Sequence, residues 1–184
     1  MNDVNSKGYI AKLTITLFII TAVVALLLSF VNAMTKDVIA ARAAEELSNA
    51  LSEVMPEATD PFAEPAYEGA EGTVYEACAG GEVVGWCIQV QSNGYGGAIT
   101  MVVGVDAELS VTGVSIVDMS ETAGLGSKAD SPSFLGQYVG RSGVINVKSG
   151  DNAIDAISGA TVTSKAVTAG VNAALDLAAQ MKGV

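Results

Sequence analysis

The chain has 184 residues, a formal net charge of −11 and no histidine. Its acidity argues against binding to a phosphate backbone, so a nucleic-acid-binding function is not expected. Without histidine, a Ser-His-Asp triad and a histidine-ligated zinc site are both excluded. No basic residue occurs between Arg42 and Lys128. This pattern is typical of a solvated acidic surface, with an acidic docking face for a cationic partner as the alternative.

An uncharged apolar segment at 13–35 follows a short N-terminus that contains Lys7 and Lys12. As a helix this segment would span roughly 34 Å, enough to cross the hydrocarbon core of a bilayer. Val-Asn-Ala at 31–33 resembles a signal-peptide cleavage site, but the apolar run is longer than that of a usual signal peptide. We therefore expect residues 1–36 to form an uncleaved single-pass anchor in the cell membrane. The short basic N-terminus should be cytoplasmic and the following domain extracytoplasmic.

Residues 37–72 combine a helical pattern with a connector. The apolar positions of 38–54 recur near helical spacing, and Pro56 marks the end of this helix. The following residues, 56–72, are rich in proline and acids, which indicates an irregular connector.

Residues 73–184 carry strand patterns first and helical patterns afterwards, which predicts an α+β fold with a mainly antiparallel sheet and a C-terminal helix. The last helix, 162–181, is rich in alanine and should end at Gly183. The other predicted elements are strands at 74–78, 83–90, 98–105, 109–117 and 144–147, a loop-rich stretch at 118–133 and a short helix at 134–139.

The two cysteines, Cys78 and Cys87, lie in the first predicted hairpin, on either side of Gly-Gly at 80–81. Two thiols are too few for an iron–sulfur cluster within this chain. A two-residue turn would pair Cys78 with Val83 and Cys87 with Val74, which keeps the thiols about four residues out of register. Because a disulfide needs Cα atoms within about 7 Å, we expect two free thiols.

The most specific motif is Asp-Ala-Ile-Ser-Gly-Ala-Thr at 155–161, directly before the last helix. A turn of small residues that leads into a helix exposes unpaired N–H groups at the positive end of the helix dipole, and such a place can hold an anion. Gly159 and Ala160 would let a phosphate approach the backbone, while Thr161, Thr163 and Ser164 supply hydroxyl groups. The structural alternative is a plain Ser/Thr helix cap.

Two glycine-rich loops precede this motif. Residues 121–128, Glu-Thr-Ala-Gly-Leu-Gly-Ser-Lys, present Leu125 between Gly124 and Gly126. Residues 93–97, Asn-Gly-Tyr-Gly-Gly, surround a single aromatic side chain. Each loop by itself is also typical of an ordinary glycine turn.

Taken in order behind a single apolar segment, the three motifs resemble those of the FMN-binding domain in the G subunit of Rnf electron-transport complexes. The C subunit of sodium-pumping NADH:quinone reductase is similar. The resemblance covers the anchor and residues 74–174, and the Asp-x-x-Ser-Gly-Ala-Thr motif is matched without a gap. The family's loop typically reads Glu-Thr-Pro-Gly-Leu-Gly. Ala123 replaces the proline here, so the loop is expected to be less rigid.

The resemblance implies FMN joined through its phosphate to Thr161 as a phosphoester, installed from FAD by a flavin transferase outside the cytoplasm. It also implies a membrane-bound electron carrier, one subunit of a translocase that couples ferredoxin and NAD redox to ion translocation. Other subunits would be its partners, and this chain alone would hold no complete active site. Leu125 and its loop should pack near the isoalloxazine. The candidate cofactor-binding residues are Asp155, Ser158, Gly159, Ala160, Thr163, Thr122, Gly124, Leu125, Gly126 and Lys128.

The leading alternative is a non-redox anchored surface or pilus-like subunit, because a basic leader and an apolar helix also occur in pilins. Pilin leaders carry a glutamate five residues after the processing glycine. Counted from Gly8, that position is Leu13, so the pilin resemblance fails at its most specific residue.

Overall fold

A computed structural model describes residues 3–62 and 65–183 of the chain. The chain divides into two compact units, one that ends at Glu45 and one that begins at Glu46. The first unit is helical throughout its described part, and the second contains the α+β domain.

The first helix, α1 (Asp3–Val54), is continuous. It joins the predicted anchor to the helix predicted at 38–54, because no proline interrupts the chain before Pro56. From Gly8 onward α1 is long and apolar enough to cross a membrane, with a mean hydropathy of 2.6 over its most apolar window and none of that window buried. The predicted apolar helix and its end before Pro56 are therefore confirmed.

A five-stranded antiparallel sheet forms the centre of the second unit, with its strands in the order of the sequence. The first four predicted strands are all present. Each is one to three residues longer than predicted at one or both ends, and the fourth also starts two residues later than predicted. A short edge strand lies inside the predicted connector. The strands are β1 (Tyr67–Gly69), β2 (Gly72–Ala79), β3 (Glu82–Asn93), β4 (Ala98–Asp106) and β5 (Val111–Met119).

The elements after the sheet are short until the last helix. A 3-10 helix (Gly126–Asp130) and α2 (Pro132–Leu135) occupy the loop-rich region, and α2 is shorter than the helix predicted at 134–139. The strand predicted at 144–147 is reduced to β6 (Asn146–Val147), which pairs in parallel with β7 (Ala153–Ile154). The last helix, α3 (Thr161–Lys182), ends at Gly183 in the left-handed conformation, as predicted.

The sheet is buried on both faces, and β4 shows this directly. Met101, Val103 and Val105 lie in the core cluster that includes the buried side of α3. Val102 points the other way, into a cluster formed with Leu51 and Val54 at the end of α1. Successive side chains of a strand alternate between faces, so a nearly continuous apolar run is what a strand covered on both sides requires. The contact between α3 and this face of the sheet holds the start of α3 in place.

The hairpin of β2 and β3 has the predicted turn but a different register beyond it. Cys78 lies opposite Val83 as predicted, whereas Cys87 lies opposite Tyr75 rather than Val74. The prediction for Cys87 was wrong because a bulge between Ala77 and Cys78 shifts the pairing by one residue. Both cysteines are free thiols.

The Cys87 thiol is buried beneath the end of α1, where its Sγ lies 3.8 Å from the Leu51 carbonyl oxygen. Burial raises the pKa of Cys87 from 9.0 to about 12. Because the thiolate is the reactive form, this shift lowers its fraction near pH 8 roughly a thousandfold.

We predict that iodoacetamide at pH 8 labels Cys78 in the native protein and leaves Cys87 unlabelled. Under denaturing, non-reducing conditions both thiols should react, as read by mass spectrometry. The Cys78→Ser variant is the control, and it should take up no label until it is unfolded. Failure of either thiol to react after denaturation without reductant would contradict the free-thiol assignment.

Candidate functional site

The start of α3 is open rather than capped by a side chain. Its N-cap residue is Ala160, which has no side-chain oxygen, and no side chain accepts a hydrogen bond at this end. Within the described residues, no acceptor is paired with the N–H groups of Thr161, Val162 and Thr163. The alternative of a plain Ser/Thr cap is therefore wrong, and the free donors keep the capacity to bind an anion.

The hydroxyl groups of this region differ sharply in their surroundings. Ser164 is fully buried, and its Oγ accepts from the Ile157 N–H at 3.0 Å and donates to the Ala160 carbonyl at 3.0 Å. Thr163 is also buried, and it donates to Glu121 at 2.9 Å. Thr161 is half-buried and lines a cleft. Its hydroxyl is thus the accessible one in the first turn of the helix.

The cleft beside Thr161 has a volume of about 440 Å³, which lies in the usual range for small-molecule sites. All three sequence motifs contribute to its walls, although they are distant in the chain. The lining residues are Tyr95, Glu121, Thr122, Leu125, Gly126, Gly159, Ala160, Thr161, Val162 and Thr163.

The Glu121 carboxylate holds the three motifs together. Its Oε1 accepts from the backbone N–H groups of Tyr95, at 2.7 Å, and Gly96, at 3.2 Å. Its Oε2 accepts from the Thr163 hydroxyl at 2.9 Å. Hydrogen bonds to a carboxylate are among the stronger ones in proteins, so this single side chain can set the spacing of both loops and the helix.

Two glycines are required by this arrangement. A Cβ at Gly126 would overlap the Glu121 carboxylate. Gly159 has a φ of 79°, which favours glycine, and its Cα faces the Leu125 side chain. Leu125 itself is 46% exposed and lines the cleft, which is the presentation that the loop sequence predicts.

The structure gathers most of the predicted cofactor-binding residues and leaves four outside the cleft lining. Gly124 has a φ of 77° in the loop, and Ser158 is exposed on the turn. The Asp155 backbone exchanges hydrogen bonds with the Gln137 side chain, while its carboxylate is exposed. Lys128 is exposed in the 3-10 helix.

Sequence reasoning did not find Lys148. Its Nζ lies 3.4 Å from the Thr161 Oγ1, although the two residues are 13 positions apart. No motif contains Lys148, and the contact depends on the fold between β6 and α3. Tyr95 and Glu121 were noticed within their loops, but only the structure places them and Val162 at the cleft.

Two family models match this chain and show which class of protein it belongs to. The family model for the FMN-binding domain matches residues 94–176, which include every residue that lines the cleft. The model for the RnfG N-terminal region matches residues 1–54, which end where α1 ends. The chain therefore belongs to the family of Rnf complex G subunits, as its motifs predict.

Two relatives that match most of the chain agree with this assignment. The G subunit of the Na⁺-translocating ferredoxin:NAD⁺ oxidoreductase complex of Acetobacterium woodii is 35% identical, with 90% of each chain covered. The G subunit of an ion-translocating oxidoreductase complex of Methanosarcina acetivorans is 31% identical, over 95% of this chain and 97% of the relative. Among solved structures, the C subunit of the Na⁺-translocating NADH-quinone reductase of Parabacteroides distasonis is 24% identical. That match covers 60% of this chain and 61% of the solved one, with a TM-score of 0.49.

We predict that Glu121→Ala destabilises the domain by about 2 kcal/mol, because the buried Thr163 hydroxyl and the amides of Tyr95 and Gly96 lose hydrogen bonds to a charged group. Hydrogen exchange should become faster at the amides of Tyr95 and Gly96, which would show that the loop has been released. Glu82→Ala, on the exposed hairpin turn, is the control. Unchanged exchange at both amides would contradict the role given to Glu121.

Proposed function

We propose that the chain is a membrane-anchored electron carrier that bears FMN as a phosphoester on Thr161. The observation that carries this proposal is the difference between the hydroxyl groups at the start of α3. Thr163 and Ser164 are buried and use their hydroxyls in the fold, whereas Thr161 faces the cleft.

The residues of the cleft fit both ends of FMN. The free N–H groups at the start of α3 suit a phosphate, and their dipole offsets its charge. Leu125, Val162 and Tyr95 are exposed apolar side chains at the cleft, and they suit a flat aromatic ring. When bound, FMN supplies the one- and two-electron redox chemistry. The chain's own task is then to hold and orient the cofactor and to shield one side of it from water.

Attachment needs only the hydroxyl of Thr161 and an activated flavin phosphate. In the proposed reaction the Thr161 oxygen attacks the phosphorus on the FMN side of FAD, and a new P–O bond forms. The phosphoanhydride bond breaks, AMP leaves with the bonding electron pair, and the hydroxyl proton passes to a base of the transferase. No electrons are exchanged in this step, so the transferase needs no redox partner.

The proposed setting is a multi-subunit redox complex in the membrane. The relatives are named as subunits of complexes that translocate ions, two of them with ferredoxin and NAD⁺ as redox partners. This chain would relay electrons between neighbouring subunits of such a translocase.

We predict that Thr161→Val abolishes covalent flavin when the transferase is co-expressed, because the attacking oxygen is gone. Wild-type protein should give a band that fluoresces after denaturing electrophoresis. Stability should change by only about 0.5 kcal/mol, since the hydroxyl caps nothing. Thr161→Ser should keep partial loading, and Asp155→Ala should load less if the transferase reads this exposed acid.

The matched control is Thr73→Val, the same substitution on β2 and away from the cleft, which should load normally. A wild-type band without flavin, despite active transferase, would overturn the proposed function. Flavin retained in Thr161→Val would move the attachment to another hydroxyl.

The proposed topology places the N-terminus in the cytoplasm and the FMN domain outside. It rests on the short basic N-terminus and on attachment outside the cytoplasm. We predict that protease added to cells with a permeable outer layer and an intact cell membrane removes the domain. A cytoplasmic marker protein should survive as the control. Complete protection of the domain would contradict this orientation. A separate measurement tests cleavage: a membrane-bound protein with the mass of the full chain would exclude cleavage after Ala33.

A further inference from the structure

Lys148 is the cation that the fold brings to the Thr161 hydroxyl. Its ammonium donates to the Thr161 Oγ1 at 3.4 Å. This is the one hydrogen bond that the ammonium makes among the described residues, and its acceptor is a neutral oxygen. The positive charge is thus aimed at the proposed attachment point without a carboxylate partner.

Two other basic side chains in the second unit, those of Arg141 and Lys182, make different contacts. The Arg141 guanidinium donates to the Gln137 carbonyl oxygen and to the Asn152 side chain. Lys182 lies at the far end of α3 and donates to the Ala107 carbonyl oxygen. Neither of them reaches Thr161, and among the described residues Lys148 is the basic residue that donates to the Thr161 hydroxyl.

The backbone around Lys148 is held firmly in an uncommon conformation. Lys148 has a φ of 70°, in the left-handed region that residues other than glycine rarely adopt. Its N–H donates to the Ile154 carbonyl, and the Asn146 N–H donates to the Asn152 carbonyl, both at 2.9 Å. The Asn152 side chain in turn donates to the carbonyls of Ser142 and Val144. The turn that presents the ammonium is therefore fixed by its own hydrogen bonds.

We propose that Lys148 is the phosphate-binding residue of the flavin attachment site, an inference that rests on the proposed function. Its ammonium lies 3.4 Å from the Thr161 Oγ1, so it would be within hydrogen-bonding reach of the non-bridging oxygens of a phosphate bonded there. Lys148 would give the phosphate a charge-assisted hydrogen bond in addition to those from the N–H groups of α3. During attachment the same ammonium stabilises the charge that builds up on these oxygens. Lys148 forms no covalent bond, so the balance of the transfer is unchanged.

The test is the rate of flavin loading of the full chain in detergent with purified transferase and FAD, read by in-gel fluorescence and by intact mass. Lys148→Gly removes the ammonium, and glycine accepts the left-handed conformation. Its thermal unfolding should stay close to wild type, while its loading rate falls about tenfold to a hundredfold, the loss expected for one hydrogen bond to a charged group. Lys148→Arg keeps a charged donor and should load within a few-fold of wild type.

Lys182→Gln is the matched control for the loss of one positive charge. It lies at the other end of a 22-residue helix, roughly 30 Å away, and should load at the wild-type rate. Normal loading of Lys148→Gly, or an equal loss in Lys148→Gly and Lys148→Arg, would overturn the role of Lys148 alone. A wild-type chain that never acquires flavin would overturn the proposed function and the role of Lys148 with it.

Discussion

The arrangement of the site depends on one carboxylate, that of Glu121. Its two oxygens bind the tip of the loop after β3 and the third residue of α3, which lie 26 positions before it and 42 positions after it. Among the described residues, no other side-chain hydrogen bond joins the glycine loops to the start of this helix. In the same contact the buried Thr163 hydroxyl donates its hydrogen bond to Glu121. The proposed selectivity for Thr161 would therefore be partly a consequence of Glu121, which engages the Thr163 hydroxyl two residues away.

The burial of the sheet on both faces gives the site its rigid support. The inner side of α3 is locked to β3 and β4 by small and branched residues such as Val167, Val171 and Ala174. The Ser164 hydroxyl then fastens the preceding turn from inside, since it bonds to both Ile157 and Ala160. A helix that is anchored along its length can leave its first turn unsatisfied, because the free N–H groups face the cleft rather than the core.

Much of this architecture could be predicted because the signals are local. The strands β2 to β5, the turn at 80–81 and the end of α3 at Gly183 follow from short apolar runs between turn residues and from glycine conformation. The features that were not predicted depend on contacts between distant residues or on local irregularities without a sequence pattern. The strand β1 has three exposed residues and no apolar pattern, and the bulge at Ala77 that shifts Cys87 leaves no mark in the sequence. Lys148 contacts Thr161 only when the turn after β6 is folded against α3, so its spacing in the sequence could not identify it.

The acidity of the chain explains why the proposed cofactor would be bonded covalently. A net charge of −11 repels an anion at long range, although salt screens this field beyond about 8–10 Å. Within that distance the start of α3 and Lys148 create a small positive region on an otherwise acidic domain. In the proposed reaction their attraction would orient the phosphate, but an open cleft of about 440 Å³ with a half-exposed Leu125 offers limited burial. A phosphoester on Thr161 would hold the flavin despite this limited burial, because its retention would no longer depend on its affinity. The local charges would then be needed only during attachment, to orient the phosphate and to stabilise its charge, and the rest of the surface could stay acidic.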